Sequence, residues 1–151
     1  MAKTCEKCNL ESAGMFSDHH ESTYAKIKGH TFCKTCAGKI YNSEILPIPV
    51  TTTNSIDGCK IIEYLSIESV EIVIGTGVFS EFYGDIADFF GERSTGFEMR
   101  MHSAKDVALA RLRTIAYEKG GDAVVGVDLD YTEFSSNRIG VVANGTVVKL
   151  E

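Results

Sequence analysis

Four cysteines fall as two close pairs, Cys5/Cys8 and Cys33/Cys36, with 24 residues between the pairs. Two residues between the members of a pair let both sulfurs lie on one side of a tight turn. Two such knuckles complete a tetrahedron of thiolates about 2.3 Å from a Zn²⁺ ion. Soft sulfur donors in that geometry select zinc, with iron as the minor competitor. Four sulfurs saturate the ion and leave no position for water, so the expected site is structural rather than catalytic. Redox dithiols or a transient metal-transfer site are the competing readings of the same residues. His19, His20 and His30 lie between the pairs. They could replace one cysteine or form a second metal site, and the plainer reading is exposed loop histidines.

Other residues offer less chemistry. Cys59 follows the turn sequence Asp57-Gly58; a nucleophilic thiol needs a base and an oxyanion pocket, and neither has a local signature. It reads as a thiol at a strand start. Asp128 and Asp130, two apart on a predicted strand, share a face and could hold a divalent cation, but alternating acids on an outward face are ordinarily solvated. Gly75-Thr76-Gly77 before a predicted helix resembles a phosphate loop only weakly, lacking a P-loop lysine. His102 has no partner at metal-ligand spacing and reads as a surface or interface residue.

The cysteines occupy a segment, residues 1–46, that is polar and short of periodic apolar structure. Both prolines, Pro47 and Pro49, follow it at once, and proline stiffens the chain. The domain boundary is placed there, giving a four-cysteine zinc-binding module at 1–46 and a second domain at 47–151. Some forty residues bury too little to fold alone, and zinc would replace the missing core. The module carries six Lys and five acids, while residues 47–151 hold nine basic and sixteen acidic residues, a net of −7. An acidic main domain repels phosphate backbones, which argues against nucleic acid as the principal partner, although the lysine-bearing first segment could still touch one weakly. The start of the chain has no apolar signal-peptide stretch, and no run has the length of a membrane helix. No membrane association and a cytoplasmic location are therefore expected.

In the second domain, Val50-Thr51-Thr52-Thr53 is β-branched and predicts a strand. Asp57-Gly58 signals a hairpin. A long β segment runs over 60–74 with a bend near Ser66. Phe79, Phe82, Tyr83, Ile86, Phe89 and Phe90 predict an amphipathic helix over 78–90, stopped by Gly91. Thr95 and Glu98 form a capping box for a second helix of about six turns. Its stripe is Phe97, Met101, Ala104, Ala108, Leu112 and Ile115, and Gly120-Gly121 stops it. Ala123, Val125, Val127, Leu129 and Tyr131 then alternate with acids and threonine as a half-buried strand. A last strand covers 139–150, with Asn144-Gly145 a turn or a bulge. Strands flanking two helices make an α+β fold, a mostly antiparallel sheet covered on one face, preceded by a small zinc-ribbon-like domain.

These residues also resemble a known family. Residues 51–151 are similar to the YbjQ family of small bacterial and archaeal proteins labelled for heavy-metal binding. The matching pieces are Thr51-Thr52-Thr53, Ile62-Glu63-Tyr64, the 79–91 helix, Gly91-Glu92-Arg93-Ser94 and the long helix. The clearest are Gly121-Asp122-Ala123-Val124-Val125-Gly126-Val127-Asp128-Leu129-Asp130-Tyr131 and Gly145-Thr146-Val147-Val148. The resemblance implies a dodecin-like α/β unit assembling as a ring-shaped homopentamer, and it supplies no established enzymatic activity. The chain departs from the family pattern at Ser66-Ile67-Glu68-Ser69-Val70-Glu71 and at Asn137-Arg138-Ile139-Gly140-Val141. Its zinc module, similar to ribbon or treble-clef knuckles, is an addition.

The expected function is a non-enzymatic binding or scaffolding protein, displaying zinc modules on a pentameric ring to recruit a protein partner. Heavy-metal sensing or buffering is the alternative. An enzyme with its active site at the subunit interface is the third.

Overall fold

The chain folds as two units, Met1–Pro47 and Ile48–Glu151. A computed structural model describes residues 2–13, 24–74, 97–134 and 138–151. The helix expected at 78–90, Gly75-Thr76-Gly77, Thr95 of the capping box, His19 and His20 lie outside the described residues.

The first unit holds more regular structure than its polar sequence suggests. Strands β1 (Ala25–Ile27) and β2 (His30–Phe32) pair antiparallel. Lys28 and Gly29 between them have φ of 49° and 81°. Two successive positive φ values make the hairpin turn whose twist matches that of the strands. Helix α1 (Lys34–Ile40) continues into one π-helical turn (Tyr41–Ile45), with Leu46 N–H donating to the Tyr41 carbonyl at 2.8 Å. These elements are too short to leave a periodic apolar signal.

In the second unit, β3 (Ile61–Ile74), β4 (Ala123–Phe134) and β5 (Arg138–Leu150) form an antiparallel sheet in the order β3-β5-β4. Helix α2 (Phe97–Glu118) covers one face. Ala104, Ala108 and Leu112 of the expected stripe are fully buried against Val70, Ile72, Val141, Ala143 and Val147. Each large aliphatic side chain among them contributes about 1.5–3 kcal/mol on burial. The helix ends as its glycines direct. Gly120 has φ 71°, Gly121 N–H donates to the Ala116 carbonyl (2.8 Å) and Gly120 N–H to the Tyr117 carbonyl (3.1 Å), a Schellman stop. The result is an α+β fold. No described helix is long and apolar enough to cross a membrane.

Local geometry corrects four expectations. The 50–53 segment is not a strand: Val50 alone bridges Val124, in parallel. Thr51 Oγ1 lies 3.2 Å from Thr53 N and 2.8 Å from Thr53 Oγ1, and the Thr53 hydroxyl donates to the Ser55 carbonyl at 2.7 Å. Such local bonds compete with a regular ladder, yet the segment stays along β4: Thr51 N–H donates to the Val124 carbonyl (3.0 Å), and the Thr51 and Thr53 carbonyls accept from Val127 N–H (2.9 Å) and Gly126 N–H (2.8 Å). Asp57-Gly58 does turn, with Gly58 at φ 78°, yet it joins no strand pair.

Simple alternation along β4 also fails. Gly126 has φ 60° and the pairing slips between Val125 and Asp128. One inserted residue reverses the faces. Ala123 and Val125 therefore pack with Val148, Ile56 and Ile61 in a second cluster, while Val124, Val127 and Leu129 join the core under α2. The bend foreseen near Ser66 is present as pairing shifts at Ile61/Glu63 and Tyr64/Ser66.

Asn144-Gly145 is neither turn nor bulge but continuous strand, opposite the bulge on β4. A Cβ on Gly145 would lie 2.6 Å from Val124 Cγ1 and 3.0 Å from Val127 Cγ2. Gly145→Ala is therefore expected to cost about 1–3 kcal/mol by overpacking. Thermal unfolding at matched protein concentration checks this; an unchanged midpoint would show that the valines give way freely.

Candidate metal centre

The first cysteine pair sits in a miniature hairpin. Thr4 bridges Glu11, Cys5 N–H donates to the Leu10 carbonyl (2.8 Å), and Asn9 N–H donates to the Cys5 carbonyl (2.8 Å). Asn9 turns the chain with φ 59°, a conformation asparagine tolerates better than most residues. The second pair starts α1: Cys33 is its N-cap, with extended backbone, and Cys36 lies in the first turn. A hairpin followed by a helix carrying the second pair matches the treble-clef alternative more closely than the ribbon.

All four sulfurs lie within 4.8 Å of one another, and Cys8 Sγ is 3.6 Å from Cys33 Sγ. A tetrahedron with metal–sulfur bonds of about 2.3 Å has edges of about 3.8 Å. The donor set therefore fits a tetrahedral soft ion. Cys5, Cys33 and Cys36 are buried, and Cys8 is exposed. Among the described residues this is the one group of three or more His, Cys, Asp or Glu side chains arranged for a metal.

Electrostatics points the same way. Burial, reinforced by the sulfurs of Cys8, Cys33 and Cys5, pushes the Cys36 thiol up to about 12. Burial also acts against ionising Cys5, but backbone hydrogen bonds from Cys33, Lys7 and Cys8 outweigh it and bring that thiol down to about 6. One thiol of the cluster ionises easily because backbone amides stabilise its thiolate, and another resists strongly, chiefly because it is buried and then because sulfurs surround it. Loading a metal at pH 7 to 8 must then displace protons, Cys36's among them. Affinity is expected to rise with pH and to fall steeply below about pH 6, where Cys5 is protonated as well. Calorimetric titration in two buffers of different ionisation enthalpy checks this. A binding heat that ignores the buffer would mean no proton is released.

Two residues that spacing did not single out hold the halves together. Glu6, inside the first pair, donates its backbone N–H to the Thr31 carbonyl (2.9 Å). Its carboxylate accepts from Thr31 N–H (2.7 Å) and contacts His30 Nδ1 (2.7 Å). The Thr31 amide, then His30, hold the Glu6 carboxyl below its usual range. The buried Tyr24 donates its hydroxyl to the Leu10 carbonyl at 2.9 Å and packs with the sulfurs. His30 is thus engaged with Glu6 and stands outside the four-sulfur group. No sequence signal marks Glu6, because its partners lie some 25 residues away.

The remaining candidates form no such group among the described residues. Cys59 is exposed. Asp128 and Asp130 are exposed on β4 and belong to no group arranged for a metal among the described residues. His102 pairs with Asp106, one turn along α2 (3.3 Å).

Comparison with known proteins divides the chain at the same place. A family model described as "Putative heavy-metal-binding" matches residues 48–151. A UPF0145 protein of Bacillus cereus is 33% identical over 101 residues, which is 67% of this chain and 98% of that protein. A UPF0145 protein of Bacillus thuringiensis subsp. konkukian matches to the same extent. Among solved structures, a protein of unknown function of the DUF74 family from Pediococcus pentosaceus aligns over 69% of this chain and 98% of its own length. Its identity is 17% and its TM-score 0.38. The matched region begins at Ile48, so the four cysteines precede it.

Proposed function

The chain belongs to the YbjQ family with a four-cysteine unit added in front, and from that premise we propose that it is a non-enzymatic zinc protein built as a scaffold. The convergence of four sulfurs within 4.8 Å carries the reading. Four thiolates, once engaged, leave no open coordination position, so the ion organises the segment and does no chemistry. Zinc is favoured over iron by the donor set and the closed tetrahedral geometry. Thiolates that must stay reduced suit the cytoplasm.

The second half of the proposal is a homopentamer. Strand β3 presents Tyr64 at 71% and Ile67 at 84% exposure, with Ile62 and Val73 also exposed. Ile67 and Val73 share the face opposite Val70 and Ile72, which are in the core. Large apolar side chains in a row on one strand favour burial by another copy. Five zinc units on one ring would bind a protein partner with avidity that no single unit has.

Elemental analysis by plasma mass spectrometry tests the metal half, with one zinc per chain expected. Heavy-metal sensing or buffering is the second reading, favoured by the family's description. It predicts more than one ion per chain, or ready exchange with cadmium. One inert zinc per chain would remove it, and no metal at all would remove both.

A further inference from the structure

The four sulfurs are not equivalent. Three are buried, Cys5 to 0% exposure, while Cys8 is open to solvent. A ligand sulfur reachable from outside is where an oxidant meets the cluster, since oxidation of cysteine follows thiolate character and access together. A second sulfur then has to be near enough to trap the product. Cys33 Sγ stands 3.6 Å from Cys8 Sγ, and a disulfide bond needs about 2.05 Å. An approach of about 1.5 Å closes that gap.

We propose that Cys8 and Cys33 form an oxidation switch, in which a hydroperoxide converts the metal-bound cluster into a disulfide-bonded, metal-free one. This rests on the metal reading above. The Cys8 thiolate attacks the peroxide O–O bond, giving Cys8–SOH and hydroxide. The Cys33 thiolate then attacks the Cys8 sulfur, forming the S–S bond and expelling a second hydroxide. Two thiolates lose two electrons and one hydrogen peroxide takes them up. Cys5 and Cys36 remain as two donors, too few to keep the ion. The new bond ties the first knuckle to the start of α1 across the 24 intervening residues, so the switch also fixes the two halves of the unit covalently.

The test uses the full-length, zinc-loaded protein with its metal content measured beforehand. Hydrogen peroxide is added, released zinc is followed with a chromophoric chelator, and disulfides are mapped by mass spectrometry after alkylation. Expected are loss of one zinc per chain, a Cys8–Cys33 bond as the first product, and recovery of zinc binding after thiol reduction. Cys59→Ser, which removes the other exposed thiol, should leave the release rate unchanged. Cys8→His keeps a donor for the ion but cannot form a disulfide, so it should slow release at least about tenfold. A protein that binds no zinc defeats the metal reading and this one with it. One that binds zinc but keeps it under peroxide, forms Cys5–Cys8 or Cys33–Cys36 first, or loses its sensitivity with Cys59→Ser overturns the switch alone.

Discussion

Stripping the metal is expected to unfold the first unit and leave Ile48–Glu151 folded. The buried cluster around the site consists of Cys5, Cys33 and Cys36 with Tyr24, edged by Leu10 and Phe32. Three of its four buried members are proposed ligands. Ile27, Ala37, Ile40 and Ile45 are buried as well, but a handful of aliphatic side chains at about 1.5–3 kcal/mol each is small beside the conformational entropy of ordering a unit of this length. Binding of zinc to comparable sites is worth about 10–16 kcal/mol, so its removal exceeds the stability of the unit. Without the ion, burial and the surrounding sulfurs also keep Cys36 protonated, so the full thiolate cluster does not form. Amide NMR spectra recorded before and after chelation should show the first unit's resonances collapse to random-coil positions while those of the second persist. Cys36→Ser should reproduce the effect. Dispersed resonances for residues 24–45 in metal-free protein would show that the unit folds on its own side chains.

The second large effect concerns assembly. Light scattering should return close to five times the 16.5 kDa chain mass. Ile67, the most exposed large apolar side chain described, should then lie in a subunit contact. In such a contact Ile67→Lys would bury a charge, and burying an unpaired charge costs several kcal/mol. The variant is expected to fall to a lower mass with its circular dichroism intact, because the side chain leaves the core untouched. A monomeric wild-type protein at micromolar concentration removes the ring, and an Ile67→Lys variant of unchanged mass removes this face from it.

Much of the site was legible because ligand chemistry is written in residue type and short spacing. Cys-x-x-Cys needs no tertiary information to be read as half of a metal site, and the sulfurs do converge. The same holds for α2, whose stripe and Gly120-Gly121 stop follow from local geometry. Glu6 was invisible because its role depends on Thr31 and His30 arriving from far along the chain. The exposure of Cys8 beside buried Cys5 was equally hidden, since both belong to one motif.

Determined by the sequence alone are the α+β class, the separation of a cysteine-bearing segment from an acidic domain, and which four cysteines come together. Each is a matter of residue type, period or nearest neighbours. Only the tertiary structure decided which way side chains face. On β4 a single positive φ at Gly126 transfers Ala123 and Val125 out of the main core. The strand opposite answers with a glycine at 145, where Val124 and Val127 leave no room for a Cβ. A one-residue slip reverses every side chain beyond it, and the pairing that stabilises such a slip joins residues well apart in the chain, Val125 with Thr146 and Asp128 with Asn144.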